Sequence, residues 1–194
     1  MADQKSTYAL VIGIDAYQES DLNREKLVNH AIDFTKWLRV RGVPAQNIFL
    51  CLSPLEDNKS SVEQLVKELE IEYRAANQQT ILSLLTEELR NKEGDLLFTF
   101  WIGHGLLDSE GRRRLLFADG KVENANNLIL DTLLDSQKSY YFHIQNHICI
   151  IDACASYVPE SVRSSRLGGL EFPVDEPCPE SKQFILFSTR KGEK

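Results

Sequence analysis

Five short runs of apolar residues punctuate the chain: Tyr8 to Ile14, Ile48 to Leu52, Leu96 to Ile102, Ile148 to Ile151 and Phe184 to Phe187. They lack the strict alternation of a strand with one wet face and so predict strands buried on both faces. Between them the period changes to that of a helix. Leu27, Ala31, Phe34, Trp37 and Leu38 mark one helix, stopped by Gly42 and Pro44, and Ile81, Leu84, Leu85 and Leu89 mark another. A further helix is predicted to begin within Asn127 to Leu134 and to run toward Ser139. Strands alternating with helices in this way predict an α/β fold, a doubly wound and mostly parallel sheet flanked by helices on both faces.

Two stretches depart from that rhythm. Pro54 to Asn77 is longer than a usual βα connection. Val62, Leu65, Val66 and Leu69 line one face of it, opposite Glu and Lys, and Ser61 with Gln64 has the spacing of a capping box. An extra acidic amphipathic helix is expected at about 54–77, either packed on the sheet or serving as a partner-binding arm. Leu106 to Gly120 reads as an exposed loop or hairpin with a short strand at Leu115 to Phe117, and Arg112-Arg113-Arg114 within it as a solvated basic cluster.

Composition narrows the function classes. With 194 residues, 42% hydrophobic and 26% charged, residues 1–194 are expected to form one globular domain. The net charge of −7 argues against nucleic acid as the principal partner. No apolar run reaches membrane length and residues 1–5 lack a signal-peptide core, which gives an expectation of a cytoplasmic protein without membrane contact. Of the cysteines, Cys51 and Cys149 lie inside apolar runs and Cys178 lies between two prolines, and none forms a C-x-x-C pair.

The chemistry concentrates at two strand ends. The run ending at Ile102 gives way to Gly103-His104-Gly105, and the run ending at Ile151 gives way to Asp152-Ala153-Cys154-Ala155-Ser156. Ligands of open parallel sheets bind beyond the carboxyl ends of the strands, so these ends can bring an imidazole and a thiol into one cleft. A thiol becomes a nucleophile at neutral pH when a nearby base accepts its proton. The amides of Gly105 and Cys154 are candidate oxyanion donors. A nucleotide-binding domain is disfavoured, because Gly13-Ile14-Asp15-Ala16-Tyr17 after the first strand carries no phosphate-cradling glycine motif.

These residues resemble the caspase-like cysteine peptidases, in which the histidine precedes the cysteine by about 50 residues; His104 and Cys154 are 50 positions apart. The Asp-Ala-Cys-Ala-Ser form is more similar to the bacterial metacaspase and orthocaspase branch. Tyr8 to Ile14, Gly94 to Gly105 and Ser188 to Glu193 also match the family's pattern. The resemblance implies Cys154 as nucleophile and His104 as general base and acid. It further implies that Asp33 and Asp152 line a pocket for a basic P1 side chain, and that Arg163 and Arg166 are candidates for self-cleavage in the loop after the cysteine.

The resemblance also brings open points. Calcium dependence occurs in the metacaspase branch, and Asp108, Glu110 and Asp119 are candidate ligands, although their spacing is not that of an EF-hand; no other cofactor is expected. Ile102 stands where the family has a small residue. The chain stops seven residues past Phe187, where the family continues with further strands. Residues 1–194 are therefore expected to be the large-subunit-like part of a longer protein, with additional domains or a small-subunit segment as partners. The alternative is a catalytically weak caspase-like scaffold or sensor.

Overall fold

The computed structural model describes residues 6–121, 126–157 and 169–192. Its centre is a six-stranded sheet in which every neighbouring pair is parallel. The strands are β1 (Thr7–Ile14), β2 (Ile48–Ser53), β3 (Tyr73–Ala75), β4 (Gly94–Gly103), β8 (Ile144–Ala153) and β10 (Lys182–Phe187), in the spatial order β10-β8-β4-β1-β2-β3. From β1 the chain builds outward through β2 and β3, then crosses back to add β4, β8 and β10 on the other side. The reversal lies between β1 and β4, and it opens a crevice at their carboxyl ends. Strand β3 escaped the sequence pattern because it is only three residues long.

Helix α1 (Leu27–Val40) and helix α2 (Lys59–Glu68) cover one face of the sheet. Gly13 is where α1 comes closest: a Cβ there would meet the Ala31 Cβ at 2.6 Å and the Val28 Cα at 3.2 Å. Helix α1 ends at Val40 with Arg41 as its C-cap, after which Gly42 takes a φ of 85°, the left-handed geometry that stops helices and favours glycine. Helix α2 buries Val62 and Val66 against the core of α1, but its N-cap is Asn58, without a side-chain cap bond, so Ser61 and Gln64 lie inside the helix and form no capping box.

The opposite face is covered by α3 (Gln78–Ser83), which runs on as a π-helical turn over Leu84–Leu89, and by α4 (Leu130–Gln137). The Asn77 side chain caps α3 by accepting from the Thr80 amide at 2.9 Å. A second, four-stranded sheet lies beside α4, in the order β7-β6-β5-β9, from β5 (Gly105–Leu107), β6 (Arg113–Leu116), β7 (Asn127–Ile129) and β9 (Ser156–Tyr157). This corrects two expectations. Residues 127–129 form a strand before the helix starts at Leu130, and the hairpin from Leu106 is not an exposed loop, since every residue of β6 is buried.

Coverage is uneven across the sheet. Register places Phe98, Ile148 and Phe184 in one row and Phe100, Ile150 and Leu186 in the next, all on one face. The four residues on β4 and β8 are only half-buried, and Phe184 and Leu186 are 61% and 51% exposed. The rows between them, through Leu97 and His147, Thr99 and Cys149, and Trp101 and Ile151, are buried under α3 and α4.

That asymmetry predicts the outcome of a pair of substitutions read by urea unfolding. Ile151→Ala should cost about 2–5 kcal/mol, whereas Phe184→Ser should stay within about 0.5 kcal/mol of the parent. A second prediction concerns pH. His147 is 1% exposed and neither ring nitrogen has a hydrogen-bond partner among the described residues. Burial pushes its pKa down to about 4. The unfolded chain binds this proton below about pH 6.5 while the native state does not. Stability is therefore lost as pH falls from about 6.5 toward 4, by about 3 kcal/mol for this group. Unfolding titrations across that range should show a shallower slope in His147→Leu.

Candidate active site

Three strand ends converge on one crevice. Strand β8 stops at Ala153 and delivers Cys154, whose thiol is free and half-buried. On the adjacent strand, β4 stops at Gly103 and delivers His104, with Gly103 and Ala153 in register. His104 and Cys154 line the same cleft of about 650 Å3, together with Asp152, Ala153, Ile102 and Gly103 from these strands. Leu27 at the start of α1, Arg24 and Glu25 before it, and Ser188 and Thr189 after β10 complete the lining.

His104 is gripped at two atoms by the loop that follows β1. Its backbone N–H donates to the Tyr17 hydroxyl at 2.7 Å. Its Nε2 lies 2.7 Å from the Leu22 carbonyl oxygen, and because a carbonyl only accepts, Nε2 is the nitrogen that bears the proton. In the neutral ring Nδ1 then keeps a lone pair able to accept a proton from a thiol. Burial holds the imidazole pKa below 6.5 and the Arg24 charge adds to the effect, while the Leu22 carbonyl opposes it. The ring is therefore a neutral base at pH 7.

Gly105 carries the chain past the cysteine. A Cβ at this position would lie 2.5 Å from the Cys154 carbonyl oxygen and 2.9 Å from the Ala153 Cβ, so no other residue permits this approach of β5 without displacement. Beyond β10 the chain is laced to the end of β8. The Ser188 amide donates to the Ile151 carbonyl at 3.1 Å, Thr189 Oγ1 to the Ala153 carbonyl at 2.9 Å, and the Gly192 amide to the Ala155 carbonyl at 2.7 Å. The Arg113 guanidinium donates to the Thr189 carbonyl at 2.8 Å and stacks 4.0 Å over the Phe187 ring, fixing this wall from the other side.

The basic cluster is thus not a solvated patch. Arg113 and Arg114 are buried, and Arg114 shares the buried Asp108 carboxylate with Arg112, at 3.0 and 2.8 Å. Two backbone amides, of Glu110 and Arg112, also donate to Asp108, and these bonds together hold its pKa below the usual carboxylate value against the cost of burial. The candidate calcium ligands are engaged with neighbouring donors as well. Glu110 pairs with Arg112, while Asp119 accepts from the Gln78 amide and from Asn126. Among the described residues no cluster of three His, Cys, Asp or Glu side chains could hold a metal ion.

The acidic pair expected for the cleft is separated. Asp152 lines it, but Asp33 lies on the exposed side of α1, paired with Lys36 at 3.4 Å, and is absent from the lining. Glu25 is the second carboxylate that the structure brings to the cleft. Arg163 and Arg166 lie outside the described residues. Cys51 and Cys149 are buried, with thiol pKa values raised by burial to about 12, so they are inert core residues as the sequence implied. Sequence reasoning missed Tyr17, the Leu22 carbonyl, Glu25, Arg113 and Thr189. The only hint of the first three was a polar loop directly after the first buried strand.

Comparison with known proteins agrees with the geometry. A protein described as a probable protease, from a Desulfuromonadales bacterium, is 28% identical over 199 residues that take in 96% of this chain. The chain spans 23% of that relative's length. The caspase domain of the peptidase C14 family matches residues 6–193, nearly the whole chain, and on that match the chain belongs to the caspase-domain family of cysteine peptidases.

Proposed function

We propose that this domain hydrolyses peptide bonds with Cys154 as nucleophile and His104 as the group that moves its proton. The observation that carries the proposal is the meeting of the two residues at adjacent strand ends in one cleft, with His104 Nε2 held by the Leu22 carbonyl and Nδ1 left as the acceptor. In the first half-reaction Nδ1 takes the thiol proton and the sulfur adds to the scissile carbonyl carbon. The negative charge that develops on the carbonyl oxygen is assigned to the amides of Gly105 and Cys154. Collapse of the adduct breaks the C–N bond, and the imidazolium returns its proton to the departing amine. Water then adds to the thioester as His104 takes its proton, and the acid is released as the thiol is re-formed.

The cleft favours a cationic residue before the cut. Asp152 and Glu25 bring two carboxylates to it, against the one cation of Arg24, so a guanidinium or ammonium of the substrate finds partners there and a carboxylate meets repulsion. Asp33 is not part of this pocket and is replaced in the proposal by Glu25. Arg163 and Arg166, in the loop after the cysteine, match the same preference as sites of self-cleavage. The half-covered face bearing Phe98, Ile148 and Phe184 is where a small-subunit-like segment would pack. No described helix is long and apolar enough to cross a membrane, and we place the protein in the cytoplasm, where its free thiols would stay reduced.

Fluorogenic peptides ending in Arg, Lys or Asp test the proposal. Cleavage is expected after Arg or Lys, is expected to vanish in Cys154→Ala and His104→Ala, and should lose about tenfold or more in kcat/KM in Asp152→Asn. Asp33→Asn should behave as the parent. Cleavage confined to Asp peptides would sink the pocket assignment. The pH profile of kcat/KM should keep its acid limb below pH 6.5, because the buried imidazole stays neutral until it is titrated below its ordinary value. A limb at or above 6.5 would contradict that protonation state.

A further inference from the structure

We propose that Tyr17 is a positioning residue for His104, an inference that rests on the dyad proposed above. His104 stands between Gly103 of the β4 ladder and Gly105 of the β5 ladder, and its carbonyl accepts from the Leu116 amide at 3.0 Å. Its N–H finds its acceptor beyond the two sheets, in the Tyr17 hydroxyl. Tyr17 is 6% exposed, and its hydroxyl accepts the His104 backbone N–H at 2.7 Å while its ring packs on the imidazole with centroids 4.9 Å apart. A Cβ on Gly103 would lie 2.8 Å from that hydroxyl oxygen. The glycine is therefore what admits the phenol to the strand end.

The same residue is tied to the carbonyl that orients the ring. The Tyr17 amide donates to Asn23 Oδ1 at 2.8 Å, and Asn23 directly follows Leu22, whose carbonyl holds Nε2. The loop is pinned at both flanks as well: the Asp15 and Ala16 amides donate to the Ser53 carbonyl at 2.9 and 2.8 Å, and the Gln18 amide to the Ala118 carbonyl at 2.7 Å. Tyr17 thus fixes the height of His104 through the backbone while Leu22 fixes its rotation. Loss of the hydroxyl leaves the ring bonded to Leu22 and the flanking glycines paired, but it leaves the His104 N–H without its acceptor, so the residue resettles relative to Cys154. A misplacement well under 1 Å is enough to cost about tenfold in rate, since about 1 Å costs about a hundredfold.

Tyr17→Phe keeps the ring and removes only the hydroxyl. The experiment compares parent, Cys154→Ala and Tyr17→Phe by kcat and KM on an Arg peptide, by thermal unfolding, and by the rate of Cys154 alkylation with iodoacetamide across pH 5 to 9. The expected result for Tyr17→Phe is a kcat about tenfold lower with KM unchanged. Alkylation near neutral pH should slow as well, although the protein remains folded at the assay temperature. Parental kcat and alkylation in Tyr17→Phe, with Cys154→Ala inactive, would overturn the inference and leave the dyad standing. Residual cleavage by Cys154→Ala would remove the dyad itself. A loss in Tyr17→Phe that appears only in KM, or only as a smaller folded fraction, would reduce Tyr17 to a structural role.

Discussion

Six parallel strands whose ladders pair only with one another impose the constraint on which this molecule is built. Their backbone groups are satisfied along most of their length and most of their side chains are enclosed by helices or by the second sheet, so polar chemistry is confined to the strand ends. Between β1 and β4 the chain reverses its direction of building, and the loops that leave neighbouring strands there diverge. The cleft lies at that divergence and at the neighbouring end of β8. Its position follows from the topology before any catalytic side chain is considered.

A strand end supplies position but not orientation, and the structure divides the second task among three segments. The loop after β1 holds His104 through Tyr17 and Leu22, the chain after β10 laces down the end of β8, and Arg113 braces that lacing from the second sheet. Arg113 and Arg114 can be buried because each finds fixed acceptors, the Thr189 carbonyl for one and Asp108 with Asn127 for the other. An unpaired guanidinium in the same place would carry a desolvation cost of several kcal/mol. The run of three arginines is therefore a scaffold for the cleft wall, and its charge is spent inside the protein.

The apolar runs made the large sheet and its parallel sense legible, although β10 and one face of β4 and β8 are covered less than those runs imply. The two strand ends were legible because a change from four apolar residues to Asp152-Ala153-Cys154 is abrupt. What stayed hidden was chemistry carried by backbone or by neighbours in space. Leu22 acts through its carbonyl, which no side-chain pattern reports. The family resemblance implies Asp33 for the cleft, yet the helical period turns it to the solvent side, while Glu25 reaches the cleft from just before the helix begins. Arg112 to Arg114 misled in the opposite sense, since charge in sequence is read as solvation unless the acceptors, 4 to 76 positions away, are known.

The depressed basicity of His104 follows from this arrangement. Closing Tyr17 over the ring removes water and makes the imidazolium costly, so the resting state is the neutral base that a thiol needs. The same closure makes the protonated intermediate harder to reach, and the Leu22 carbonyl is the feature that offsets it: an acceptor at Nε2 strengthens as the ring gains charge. Burial thus selects the protonation state at rest, and one carbonyl recovers part of the stability of the charged state formed in turnover. Tyr17 and Leu22 both belong to the loop between β1 and α1, which places part of the tuning of the base in a segment that contains neither member of the dyad.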